Sequence, residues 1–224
     1  MTGWHDSGEQ LMMKMPIRRP VLRTPLLLLL LVAATAHGGE SLSKVDLVAA
    51  LQRGGYVILM RHANSPGATP DAAHANTDNP QLERQLDEQG QASARAMGDA
   101  FRRLKIPIGK VLSSPTYRAL ETVKLAQFGP PTPFAELSQS EQSTSADNTG
   151  TRAAWLKAKT SEHLAAGTNT LIVTHYPNIA EAFPQESDRL AEGEALILRP
   201  GKGDRASLVA RVKIDEWASL AATR

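Results

Sequence analysis

The chain has 224 residues, 42% of them apolar and 21% charged, enough material for one domain of ordinary size around a single core. Its 25 basic and 23 acidic side chains nearly cancel, and four of the basic against two of the acidic ones fall within the first 36 positions. The pI near 9.0 therefore belongs to the N-terminal segment, and the remaining body carries no cationic excess of the kind nucleic acid requires. The absence of cysteine excludes thiol nucleophiles, thiolate metal sites, disulfides and a lipid-bearing cysteine.

In chain order, the first segment reads as an export signal: a basic stretch, the leucines Leu26 to Leu31, then Val32-Ala33-Ala34-Thr35-Ala36 with small residues at the A-x-A positions. Cleavage is expected after Ala36, giving a signal peptide over 1–36 and one domain over 37–224. Arg18-Arg19 resembles a twin-arginine signal, although the leucine block fits the general secretory route better. Residues 1–11 are polar, unlike the opening of a signal, which makes Met12, Met13 or Met15 alternative starts. The apolar run falls short of the roughly 20 residues of a spanning helix, so no stable membrane span is expected once the leader is removed.

Ser43 to Gln52 predicts a short amphipathic helix stopped by Gly54-Gly55, and Tyr56 to Met60 the first strand. Ala63 to Asp87 is rich in Pro, Asn, Asp and Ala without an apolar period, so a long loop is expected there. Met97, Phe101 and Leu104 mark one face of a helix from about Gln91 to Lys105. Val111-Leu112 predicts a short buried strand. Ser114-Pro115 predicts a helix start, with serine as N-cap, proline at the first helical position and Arg118 about one turn inside. Ser138 to Gly150 reads as loop, Arg152 to Ala165 as helix, Thr170 to Thr174 as strand and Pro177 to Phe183 as a helical turn. Glu194 to Arg199 and Ser207 to Val212 read as β segments around a turn at Pro200-Gly201-Lys202-Gly203. Strands alternating with helices predict an α/β sheet covered on both faces.

Three apolar runs end in polar groups: Val57 to Met60 in Arg61-His62, Leu171 to Val173 in Thr174-His175, and Val111-Leu112 in Ser113-Ser114 with Arg118 following. An arginine and a histidine at the end of a buried strand cost desolvation energy unless a ligand or partner offsets it. Taken singly, each of these four residues has a respectable structural explanation, as do His74 and His163. Together, two guanidiniums and two imidazoles make a pocket for a tetrahedral dianion, and in open α/β sheets such pockets lie at the C-terminal strand ends. Surrounding cations hold a histidine in the neutral, nucleophilic form and stabilise a transferring phosphoryl group. This chemistry calls for no cofactor and no metal ligands, and the expected partner is a small phosphorylated molecule.

Leu59-Met60-Arg61-His62-Ala63 resembles the arginine-histidine signature of the histidine phosphatase superfamily, the phosphoglycerate mutase-like proteins, with Ala63 where glycine is usual. Leu86 to Ala92 resembles the family's helix-opening segment, Ser113 to Thr122 its second-arginine motif and Val173-Thr174-His175 its second-histidine motif, all in family order. The resemblance covers roughly Tyr56 to Arg199 and implies a three-layer α/β sandwich with a mostly parallel central sheet. It implies His62 as the nucleophile that becomes phosphohistidine, with Arg61, Arg118 and His175 holding the phosphoryl oxygens and Asn64 as an added donor. A leaving-group acid varies between branches, and Glu136, Glu141 and Asp78 are the candidates here. The expected function is a small exported bacterial phosphatase of phosphate monoesters, acting on envelope sugar phosphates such as lipopolysaccharide core heptose phosphate. The alternatives are a non-catalytic phosphate binder of the same fold and a phosphohistidine protein phosphatase.

Overall fold

The structure, a computed structural model, describes residues 1, 3, 42–66, 83–138, 146–203 and 205–222. Nearly all of the expected leader, most of the loop after Ala63, and the candidates Asp78 and Glu141 lie outside the described residues. The chain divides into two units, Met1–Ala36 and His37–Arg224, and every element named below belongs to the second. Among the described residues no helix is long and apolar enough to cross a membrane.

Six strands form one sheet: β1 (Val57–Arg61), β2 (Ile108–Ser113), β3 (Thr132–Pro133), β4 (Asn169–Thr174), β5 (Ala195–Arg199) and β6 (Ser207–Val212), in the order β3-β2-β4-β1-β5-β6. The first four positions in that order are parallel pairs, whereas β5 runs antiparallel to β1, and β6 antiparallel to β5. The sheet is thus mixed, with its parallel half centred on β4 and β1.

The two-residue period of the strands sorts their side chains into two cores. On one face Ile58 and Met60 of β1, Val111 of β2, Leu171 and Val173 of β4 and Ile197 of β5 pack against α1 (Lys44–Arg53), α2 (Glu88–Arg103), α3 (Tyr117–Ala126) and α6 (Glu216–Ala222). On the other, Val57, Leu59, Ile172, Leu196 and Leu198 pack against Leu137, α4 (Ala146–Ser161) and α5 (Tyr176–Ala182). Residues 57–60 of β1 and 171–173 of β4 are continuously apolar because both faces of the central strands are covered, which makes the structure the three-layer α/β sandwich the sequence predicts.

Several elements differ from expectation, among them β3, which the sequence does not predict, and α2, which starts at Glu88 rather than about Gln91. The third helix begins at Tyr117 with Thr116 as N-cap, two residues later than the Ser114-Pro115 signal places it. Ser114 leaves the cap position because its hydroxyl accepts from the Thr116 backbone N–H at 3.3 Å and lies 2.9 Å from His175 Nε2. Helix α4 starts at Ala146, inside the stretch read as loop. Helix α6, of seven residues, is not among the expected elements. It is held by Trp217, which is fully buried and meets Phe101 of α2 with ring centroids 4.5 Å apart.

Candidate active site

Register brings the two histidines together. Strands β1 and β4 are adjacent and parallel, and Arg61 is paired with Thr174, so the residue after each strand, His62 and His175, leaves the same edge of the sheet. Their rings stand edge to face with centroids 5.2 Å apart, and both are buried. Strand β2, on the other side of β4, delivers Ser113-Ser114 to that edge and leads into α3. Arg118 is therefore the second residue of the helix rather than a full turn inside it, and its buried guanidinium lies between the imidazoles. Its Nε donates to His62 Nε2 at 3.2 Å, and its Nη2 donates to His175 Nδ1 at 3.2 Å.

These contacts fix the tautomers. His62 Nδ1 lies 2.8 Å from the Ala63 carbonyl oxygen, which can only accept, so the proton sits on Nδ1 and the lone pair on Nε2. In His175 the lone pair is on Nδ1, facing Arg118, and Nε2–H is directed to the Ser114 hydroxyl. Burial lowers the His62 pKa to about 3, partly opposed by the Ala63 hydrogen bond and reinforced by the charges of Arg118, Arg61 and Arg84. Burial and the same arginines, Arg118 foremost, hold His175 well below the ordinary histidine value. Near neutral pH both rings are uncharged, and His62 presents an unprotonated Nε2 in a field of guanidiniums.

Arg61, His62, Arg84, Tyr176 and Pro177 line a cavity of about 200 Å³. Arg61 is held by Glu192, whose Oε1 accepts from Nη2 at 2.7 Å, and by the Leu190 carbonyl, 3.3 Å from Nη1. Among the described residues its Nε is buried without a hydrogen-bond partner, a donor in want of an acceptor. Glu192 also accepts from the Ser65 backbone N–H at 3.2 Å, tying the loop after His62 to the segment before β5. Arg84 in turn grips Ser65, its Nη2 donating to the carbonyl at 3.0 Å.

The predicted residues Arg61, His62, Arg118 and His175 are thus brought together. Asn64 lies close by in the chain, but its amide donates to Asp87 Oδ2 at 2.6 Å, at the N-cap of α2, and it does not line this cavity. Glu136 sits in a single 3-10 turn, Ala135–Leu137, where its backbone carbonyl accepts from Asn178.

Three charged residues went unpredicted. Arg84 lines the cavity, Glu192 orients Arg61, and the buried Glu83 carboxylate accepts the backbone N–H of Tyr117, replacing the side-chain cap that Thr116 does not make. All three come from segments with no apolar period. The only signal available was the closeness of Glu83-Arg84 to the helix-opening segment Leu86 to Ala92.

A sequence model of the histidine phosphatase superfamily (branch 1) matches residues 57–209, from the first strand to the last, and includes all four central residues. The chain belongs to the histidine phosphatase superfamily. No curated protein sequence matches it significantly. Among solved structures it is similar to the protein histidine phosphatase SixA complexed with tungstate, with a TM-score of 0.54 and 20% identity over 72% of this chain and 98% of that one. It is also similar to the product of open reading frame Rv3214 from Mycobacterium tuberculosis, with a TM-score of 0.50 and 20% identity over 70% and 97% of the two chains. A third likeness, to a phosphoserine phosphatase of Entamoeba histolytica bound to phosphoserine, has a TM-score of 0.50 and 13% identity over 71% and 97%. At such identities these structures support the shared fold.

Proposed function

We propose that the protein is a phosphatase that hydrolyses phosphate monoesters through a phosphohistidine on His62. The observation that carries this reading is the state of His62: a buried imidazole with its proton committed to the Ala63 carbonyl and its Nε2 lone pair facing guanidiniums. In the free protein Arg118 Nε occupies that lone pair. An entering phosphoryl group offers better acceptors, and the Arg118 donors and the unpartnered Arg61 Nε would turn to its oxygens. His62 Nε2 then forms a bond to phosphorus as the P–O bond to the leaving group breaks, with the arginines stabilising the charge on the equatorial oxygens. The leaving oxygen takes a proton, and water then breaks the P–N bond to release inorganic phosphate and restore His62.

The same reading places the enzyme outside the cytoplasm, on the strength of the leucine block and the A-x-A pattern ending at Ala36. There its substrates would be envelope sugar phosphates, with lipopolysaccharide core heptose phosphate the first to try. The name of the SixA structure keeps a phosphohistidine protein as the second substrate class to assay.

The test is hydrolysis of p-nitrophenyl phosphate by the expressed full chain and by its His62→Ala variant. Turnover in the first, at least a thousandfold lower in the second, together with an acid-labile phosphoryl group recovered on His62 after a rapid quench, is the expected result. Turnover that survives the substitution overturns the mechanism. Tight phosphate binding without turnover in the unsubstituted protein would make it a binder. The intact mass of the secreted or periplasmic product reports whether it begins at His37.

A further inference from the structure

Tyr176 follows the second histidine directly, and at 39% exposure it is one of three large apolar side chains exposed among the described residues, with Met1 and Val45. Single exposed apolar residues are ordinary. This one, unlike Val45 on the outer surface of α1, forms a wall of the cavity that holds Arg61, His62 and Arg84. It is also fixed in place. The Arg61 guanidinium lies 5.9 Å from the ring centroid, and Pro177, the next residue in α5, lines the same cavity with its rigid ring. Asn178 bolts this first turn down by donating to the carbonyls of Glu136 and Ser138 and, at 3.1 Å, to the Thr174 hydroxyl. A rigid, half-wet aromatic surface beside a phosphoryl site loses little conformational freedom when a ligand covers it.

Building on the phosphatase reading, we propose that Tyr176 determines specificity by forming, with Pro177, the platform on which a ring in the substrate's leaving group packs. The cavity of about 200 Å³ has room for more than a phosphoryl group, and Tyr176 and Pro177 form the part of its wall against which a ring joined to the ester oxygen would lie. An aromatic face suits either an aryl ring or the C–H face of a sugar, and both share the same requirement for a flat apolar partner.

The experiment compares three ligands, glucose 1-phosphate, phenyl phosphate and ethyl phosphate, of which the last has no ring. Binding to His62→Ala is measured by calorimetry with and without Tyr176→Ala and Tyr176→Phe, and KM and kcat are measured in the corresponding proteins that retain His62. We expect Tyr176→Ala to weaken binding, and to raise KM, by about tenfold for one or both ring-bearing ligands. Ethyl phosphate binding and kcat should change less than twofold, and Tyr176→Phe should behave as the unsubstituted protein. The ring that loses more identifies the leaving group as sugar or aryl. An equal loss for all three ligands would mean that Tyr176 acts only through Arg61, and no loss for any would mean that it is idle surface. Either result overturns the proposal. Because the calorimetry needs no turnover, an inactive protein that still prefers rings would refute the phosphatase reading alone, and an active one without ring preference would refute this inference alone.

Discussion

At the scale of single residues, the pairing of Arg61 with Glu192 sets a conflict that can be measured. A carboxylate 2.7 Å from a guanidinium fixes its direction but partly cancels the charge that a phosphate dianion would feel. Glu192 also holds the Ser65 backbone, so it braces the loop that begins at His62. Glu192→Gln keeps the size and one accepting oxygen while removing the negative charge. Inorganic phosphate, measured as a competitive inhibitor, is therefore expected to bind about three- to tenfold more tightly to Glu192→Gln. Turnover should fall by about tenfold, because Arg61 loses the charge-assisted bond that aims it. Affinity and kcat moving in opposite directions is the signature of a positioning residue. A parallel fall in both would show that Glu192 merely supports the fold.

At the scale of elements, the start of α2 is where the sequence was most informative and also where it stopped short. The period of Met97, Phe101 and Leu104 located the helix but not its first turn, which begins at Glu88 with Asp87 as N-cap. Asp87 Oδ1 accepts from Gly90 N–H at 2.7 Å while Oδ2 accepts from Asn64, so one carboxylate joins the helix start to the loop after His62. Gly90 permits that closeness, since a Cβ there would collide with the Asn64 backbone carbonyl. Helix propensity alone favours alanine over glycine by about 1 kcal/mol. The contact predicts the reverse: Gly90→Ala should lower the melting temperature and cut kcat/KM by at least tenfold, because Asn64 cannot yield without moving His62. A variant with raised melting temperature and full activity would disprove this coupling. The same distinction explains what could be read from the chain. Arg61, His62 and His175 were legible because each ends an apolar strand, and Arg118 because it opens a helix beside a Ser-Pro signal. Arg84, Glu192 and the capping by Glu83 were not, since they act across long sequence separations from segments without period. The antiparallel entry of β5 beside β1 and the docking of α6 through Trp217 depend likewise on the assembled sheet, not on local pattern.

At the scale of the whole molecule, burying two neutral histidines ties stability to pH. In the unfolded chain each imidazole titrates near 6.5, whereas in the native protein His62 titrates at about 3 and His175 well below its ordinary value. Above pH 6.5 both states leave the rings unprotonated, and these two groups make stability independent of pH. As pH falls below 6.5 the unfolded state takes up protons that the native state refuses, so stability is lost at up to about 1.4 kcal/mol per pH unit for each histidine. For His62 alone the loss between pH 7 and pH 5 is about 2 kcal/mol, and it continues until the native ring protonates near pH 3. Urea unfolding at pH 7 and pH 5 should show this decline, and His62→Gln should remove its share while leaving that of His175. If both proteins lose the same stability over that interval, His62 is not held neutral in the fold. The nucleophile assigned to it would then have to be sought at His175, which shares Arg118 from the opposite side.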